Sequence, residues 1–222
     1  MSDEPGLRAA IVEAGRRLYA MGLIAGNQGN LSVRDGQRLL VTPAGACKGY
    51  LSAEDVVVTD LDGRAAGGRA SSEVLMHAAA YRARPDVRAV VHAHPPVATA
   101  FAVAGVALDR PLLAEPVVTL GPVPIVPFGT PSTGDLARQV EQAIGRAHAL
   151  LLANHGALTV GETLWRAWER METLEQLARV TLAARLVGQP RELAGDALAS
   201  LEALRAPAGY PPPPGAGRQP SR

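Results

Sequence analysis

Residues 71–96 read SSEVLMHAAAYRARPDVRAVVHAHPP. Two serines suited to capping open this run, Val74, Leu75, Ala78 and Tyr81 recur at helical spacing, and the helix ends near Pro85. VRAVVHAH (87–94) then reads as a strand, stopped by Pro95 and Pro96. A helix leading directly into a strand sets the mixed α/β character of the chain. That strand carries His92 and His94 at its end. Residues i and i+2 of a strand share a face, so both imidazoles can reach one metal ion without distortion of the backbone. The same spacing also fits a packed or solvated face.

Toward the N-terminus, Leu7, Ile11, Ala14 and Leu18 mark an amphipathic helix from Gly6 to about Gly22. NLSVRDGQRLLVT (30–42) reads as two strands around an Asp35-Gly36 turn. TPAGACKGY (42–50) is a loop, Ser52 and Asp55 form a capping pair, VVVTD (56–60) is a β-branched run and LDGR (61–64) turns the chain. Toward the C-terminus an alanine-rich helix runs to about Ala104, VPIVP (123–127) is a short strand and STGDLARQVEQAIGRA (132–147) a helix. ALLLANHGALTV (149–160) reads as a buried strand broken at Asn154-His155-Gly156, and Glu162 to Val187 as one long helix that packs across the sheet or into a neighbouring subunit. Residues 1–205 therefore form one domain. Residues 206–222, rich in proline and glycine, read as a disordered or polyproline tail. Strands mixed with helices, with hairpins among them, give an α/β sandwich around a largely antiparallel sheet.

Composition narrows the function classes. With 222 residues, 47% apolar content and a net charge of +1, the chain can bury one sizeable core and shows no nucleic-acid or membrane surface. No apolar run approaches the roughly 18 to 20 residues of a membrane span, and MSDEPGLRAA has neither a basic nor a hydrophobic leader region, so a cytoplasmic protein is expected. Cys47 is the single cysteine, which excludes an intramolecular disulfide and a thiolate cluster within one chain. Lys48 is the single lysine among 22 basic residues, so a Schiff-base mechanism has one candidate, placed in a loop.

A third histidine strengthens the metal reading. His155 interrupts an apolar strand, and a polar break at the end of a buried strand is costly unless it serves a site. Three imidazoles would leave a fourth zinc position open to substrate. His77 lies one helical turn after Glu73 and reads as a local pair or a packed side chain, while His148 follows a helix end and reads as exposed. Glu73, in the first turn of its helix, complements the helix dipole whether or not it has a further role. Ser71 and Ser72, beside free N–H groups, suit either capping or a phosphate, and GNQGN (26–30) and TPAG (42–45) can add backbone donors to the same anion.

GNLSVR, LLVTPAG, the 71–96 run and LLLANHGAL together resemble the class II aldolase and adducin family, over about Leu7 to Val187. The resemblance implies a three-layer αβα fold in a homotetramer, with zinc, or another divalent ion such as manganese or cobalt, at each subunit interface. It implies His92, His94 and His155 as the metal ligands, Glu73 as the acid/base residue, and Asn30, Gly45, Ser71 and Ser72 on the substrate phosphate. The implied reaction is cleavage of a ketose 1-phosphate, such as L-fuculose 1-phosphate, to dihydroxyacetone phosphate and an aldehyde through a zinc-stabilised enediolate. Relatives use the same site for epimerisation, dehydration or decarboxylation, and adducin-like domains keep the fold without catalysis. Two positions depart from the family's aldolases. Ala44 stands where they have a threonine, and ALDRPLLAEP (107–116) lacks the tyrosine that acts from the neighbouring subunit. Tyr210 matches a second, C-terminal tyrosine poorly.

Overall fold

The computed structural model describes residues 3–214. Its chain runs α1 (Glu4–Ala20), β1 (Asn30–Asp35), β2 (Arg38–Val41), β3 (Val57–Asp60), α2 (Val74–Ala83), β4 (Ala89–Ala93) and α3 (Pro96–Val103). It continues with α4 (Ala114–Thr119), β5 (Ile125–Val126), α5 (Gly134–Ile144), β6 (Ala149–Leu152), β7 (Gly156–Gly161), α6 (Leu164–Val187) and α7 (Gly195–Leu204). Seven strands form one sheet in the order β3-β2-β1-β4-β7-β6-β5. Every pairing is antiparallel except β5 with β6.

Alternation along the strands produces the three layers. Ala89, Val91 and Ala93 of β4, with Ala149 and Leu151 of β6, pack with the buried residues of α1, α3 and α6. Val90, Leu150 and Leu152 point the other way, into a second core with Val74, Met76, Ala80 and Tyr81 of α2 and Leu136, Val140 and Ile144 of α5. Both faces of the sheet are thus covered, which is why its central strands read as apolar runs rather than as alternating ones. The expected αβα sandwich is the observed one. By the same parity His92 falls on the face that looks toward α2, the helix Glu73 opens.

The Asp35-Gly36 turn closes the β1–β2 hairpin, with Gly36 at φ 60°. Ser52 and Asp55 do form a reciprocal capping box, on a short 3-10 turn at Ala53–Asp55. Three local readings are corrected. Helix α2 starts at Val74 with Glu73 at its N-cap, one or two residues later than a serine cap would set it, and Ser71 Oγ accepts from the Glu73 N–H at 3.3 Å. The 149–160 stretch is a hairpin of β6 and β7, and Asn154-His155 form its turn, with Asn154 at φ 55°. His148 is buried, its Nε2–H donating to the Pro211 carbonyl at 2.8 Å.

That last contact bears on the C-terminal segment. Residues 206–214 lie against the body: the Arg166 guanidinium sits 3.9 Å from the centre of the Tyr210 ring, and Pro213 is buried. The remainder of the expected tail, 215–222, lies outside the described residues. Helix α6 crosses the sheet and meets α1, α3 and α4. No helix among the described residues is long and apolar enough to cross a membrane.

Candidate metal centre and active site

Pairing register assembles the site. Asn30 of β1 stands opposite His92 of β4, and His92 stands opposite Leu158 of β7. His94 follows the end of β4, and His155 comes from the β6–β7 turn, where its N–H donates to the Leu152 carbonyl at 3.0 Å. Gly156 makes room for this convergence: a Cβ there would lie 2.6 Å from the Ala93 carbonyl oxygen and 2.8 Å from Cδ2 of His94.

The three imidazoles stand edge to face, with centroids 4.8 to 5.0 Å apart. One ring nitrogen from each lies within 4.8 Å of the others. Nδ1 of His92 bonds the Ala157 carbonyl at 2.8 Å, so it carries the proton and Nε2 presents a lone pair. That Nε2 lies 3.0 Å from Nε2 of His94. Burial, helped by the neighbouring histidines, pushes His94 down to about 3 and lowers His155 as well. Two facing ring nitrogens repel unless a proton or a cation lies between them, and the Glu73 carboxylate beside them adds negative charge to the same point. The donor set fits a divalent metal of borderline softness with an open position.

Glu73 closes the group. Its Oε2 lies 3.2 Å from His92 Nε2 and its Oε1 lies 3.3 Å from His155 Nε2, while Oε1 is buried without a hydrogen bond. Burial raises the carboxyl pKa, but His92, His155 and the Asn30 amide outweigh burial and hold the group well below the usual carboxylate range. A chain of buried polar groups fixes this carboxylate from behind. Asn30 Nδ2 donates to Glu73 Oε2 at 2.9 Å, and Asn30 Oδ1 receives His77 Nε2–H at 2.5 Å. His77 Nδ1 is then an acceptor for the Ser32 hydroxyl at 2.7 Å, and the Tyr81 hydroxyl stands 2.8 Å from Ser32 Oγ and 3.0 Å from its carbonyl.

All of the expected metal ligands and Glu73 meet at one point. The phosphate candidates form a second group beside it. Ser71 N–H donates to the Thr42 carbonyl at 3.1 Å and Ala44 N–H to the Arg69 carbonyl at 2.9 Å, which sets the Gly45 loop alongside Ser71 and Ser72. Ser71 is buried, whereas Gly45 and Ser72 are exposed. Asn30 differs from the expectation, since its amide is engaged with Glu73 and His77 and leaves one Nδ2 hydrogen for a ligand. His77 packs as expected but bonds Asn30 and Ser32, not Glu73. Lys48 corrects the Schiff-base alternative: it is buried, and its ammonium is taken up by two carbonyls. Tyr210 lies beside Arg166 at the start of α6, at the end of β7 away from His155.

Sequence reasoning missed Ser32, Tyr81 and Glu175. Tyr81 follows His77 by one helical turn on the buried side of α2, a signal of shared facing that a reading of His77 with Glu73 alone passes over. Glu175 of α6 accepts from the Val97 and Ala98 N–H groups at the start of α3, at 2.9 to 3.2 Å, and from Arg179 at 2.8 Å. It caps the helix that follows His94, and nothing local in the sequence announces it.

Several known proteins are similar to this chain over most of its length. A 3-oxo-tetronate 4-phosphate decarboxylase of Pectobacterium atrosepticum is 35% identical over 187 residues, spanning 81% of this chain and 85% of that protein. An L-fuculose phosphate aldolase of Methanococcus maripaludis is 33% identical over 166 residues, spanning 73% of this chain and 89% of that one. A solved L-fuculose 1-phosphate aldolase superposes with a TM-score of 0.85 at 29% identity, covering 92% of this chain and 97% of that structure. Residues 9–182, from α1 through most of α6 and including every histidine of the cluster, match the family described as Class II Aldolase and Adducin N-terminal domain. The chain therefore belongs to the class II aldolase and adducin family.

Proposed function

We propose that the protein is a metal-dependent carbon–carbon lyase acting on a phosphorylated sugar, and that its reaction is aldol cleavage of a ketose 1-phosphate. The observation that carries this reading is the Glu73 carboxylate, 3.2 and 3.3 Å from two of three converging imidazoles, beside a loop and helix start suited to phosphate. His92, His94 and His155 would hold a divalent metal, zinc by the softness of the donors. Once bound, it would supply Lewis acidity toward a substrate carbonyl and the hydroxyl next to it.

The protein groups divide the remaining work. Gly45, Ser71, Ser72 and the spare amide hydrogen of Asn30 hold the phosphate, which fixes the reacting carbons over the imidazole cluster. The C3–C4 bond breaks with its electron pair going to C3, the C4 hydroxyl passes its proton through water to the Glu73 carboxylate, and an aldehyde departs. Glu73 moves the proton at C3: it returns one in the cleavage direction and removes one in condensation. A cytoplasmic homotetramer with sites between subunits is part of the same proposal.

Decarboxylation of a 3-oxo acid 4-phosphate is the second reading. It is favoured by the 35% identity to a protein of that name, and by the lack of both the threonine at Ala44 and a tyrosine in 107–116. There carbon dioxide leaves in place of the aldehyde, and the electron pair again remains on a carbon next to a carbonyl. A panel separates the two: L-fuculose, L-rhamnulose and 5-deoxyribulose 1-phosphates with detection of dihydroxyacetone phosphate, beside 3-oxo-tetronate 4-phosphate with detection of carbon dioxide. Triose phosphate is expected. Carbon dioxide release with no triose phosphate from any sugar would replace the aldolase reading. Glu73→Gln should keep its metal and lose turnover by about 10²- to 10⁴-fold, the usual worth of a positioned acid/base group.

A further inference from the structure

Lys48 is the single lysine of the chain and only 3% exposed. Its ammonium donates to the Asn27 carbonyl at 2.6 Å and to the Ala46 carbonyl at 2.9 Å. Those carbonyls belong to different loops. The 25–29 loop leads into Asn30 through Gly29, which sits at φ 67° where a Cβ would lie 2.8 Å from the His92 carbonyl oxygen. The 43–47 loop carries Gly45, at φ 73°. One buried side chain thus joins both segments that flank the phosphate group.

The charge is the second part of the argument. Both partners are neutral, and no carboxylate pairs with Lys48 among the described residues. Burial lowers its pKa, while the negative charge of Glu73 pulls the other way. A buried cation whose hydrogen-bond partners are neutral is unfavourable unless negative charge lies near it; Glu73 supplies part of that charge, and a bound phosphate would supply more. Gly45, Ser71, Ser72 and Asn30 are all neutral donors, so a phosphate held by them would otherwise meet no fixed cation from that set.

We infer that Lys48 is a positioning residue of the phosphate site: its ammonium clips the 25–29 and 43–47 loops together and sets a fixed positive charge behind the bound phosphate. This rests on the reading of Gly45, Ser71 and Ser72 as phosphate donors. The clip itself does not.

The test uses the metal-loaded full chain and the variants Lys48→Met, Lys48→Gln and Lys48→Arg. Hydrogen exchange reads the clip, calorimetric titration with inorganic phosphate reads the charge, and elemental analysis controls for metal. Lys48→Met should exchange faster in both loops together and bind phosphate about tenfold or more weakly, raising KM more than it lowers kcat, as expected for a lost charge-assisted contact. Lys48→Arg should recover part of the phosphate affinity. Should Lys48→Met fail to fold, Lys48→Gln, a donor without charge, is expected to keep the loops protected and still lose phosphate affinity. Unchanged exchange and unchanged phosphate binding in a folded Lys48→Met or Lys48→Gln overturns the inference. Absence of phosphate binding by the unsubstituted protein instead overturns the reading of the site, and the exchange data alone then decide the clip.

Discussion

His77 has both ring nitrogens engaged, yet it decides which way the Glu73 carboxylate points. Its Nε2–H donates to the oxygen of Asn30, so the amide cannot flip, and the Asn30 nitrogen is left facing Glu73. Replacing His77 with Phe leaves that oxygen buried and unpaired, which should cost about 1–3 kcal/mol of stability. Metal content should be unchanged, while kcat on whichever phosphorylated substrate turns over falls about tenfold with little change in KM, because proton transfer alone is misaligned. A kcat equal to that of the unsubstituted protein would reduce His77 to packing. At this scale the sequence was legible where a residue type is scarce and its spacing carries geometry. Five histidines, three of them beside strand ends, pointed at the cluster without help. Ser32 and Asn30 gave no such signal, since a serine and an asparagine in a strand have many uses and only the β1–β4 register brings them under Glu73.

Elements with long period or strong turn chemistry were equally readable. The Asp35-Gly36 hairpin, α1, α5 and α6 fall close to where their patterns placed them. Helices α4 and α7 did not stand out: α4 spans six residues, too few to show a period, and α7 buries none of its own. The turn between β6 and β7 was misread as an interrupted strand because both arms are apolar, being covered on both faces, and only the pairing distinguishes a fold-back from a break. That turn sets His155 against His94, which makes Gly156 its sensitive point. Gly156→Ala would push a methyl against the Ala93 carbonyl and the His94 ring, and should destabilise the protein by about 1–3 kcal/mol and weaken metal binding about tenfold. Gly145→Ala is the control, since a Cβ there meets nothing within 4 Å and the backbone is ordinary helix. Equal melting temperatures and metal affinities for the two variants would show that the hairpin tolerates the methyl.

The folded chain as a whole resists taking up protons. Burial holds His77 near 3, and burial holds His148 near 3, helped by the charge of Arg170, against 6.5 for an ordinary histidine. As pH falls below 6.5 the unfolded chain binds two protons that the folded one refuses. Stability from these groups is therefore complete above about pH 6.5 and drains as pH falls toward 3, at about 1.4 kcal/mol per unit for each histidine. Unfolding free energies from urea titrations between pH 7.5 and 5 should show a loss of about 4 kcal/mol from these two groups, on top of any from His94 and His155, and His148→Gln should remove about 2 kcal/mol of it. A flat profile would mean that one of the two histidines opens to water. The burial of Lys48 has a practical consequence as well. With its only lysine enclosed, the described body offers acylating reagents no side-chain amine at its surface, and Lys48 can react only in the moments when the loops around it part. The slow appearance of acyl-Lys48 in a peptide mass spectrum is then a stopwatch for that opening, read at one atom and without any introduced label.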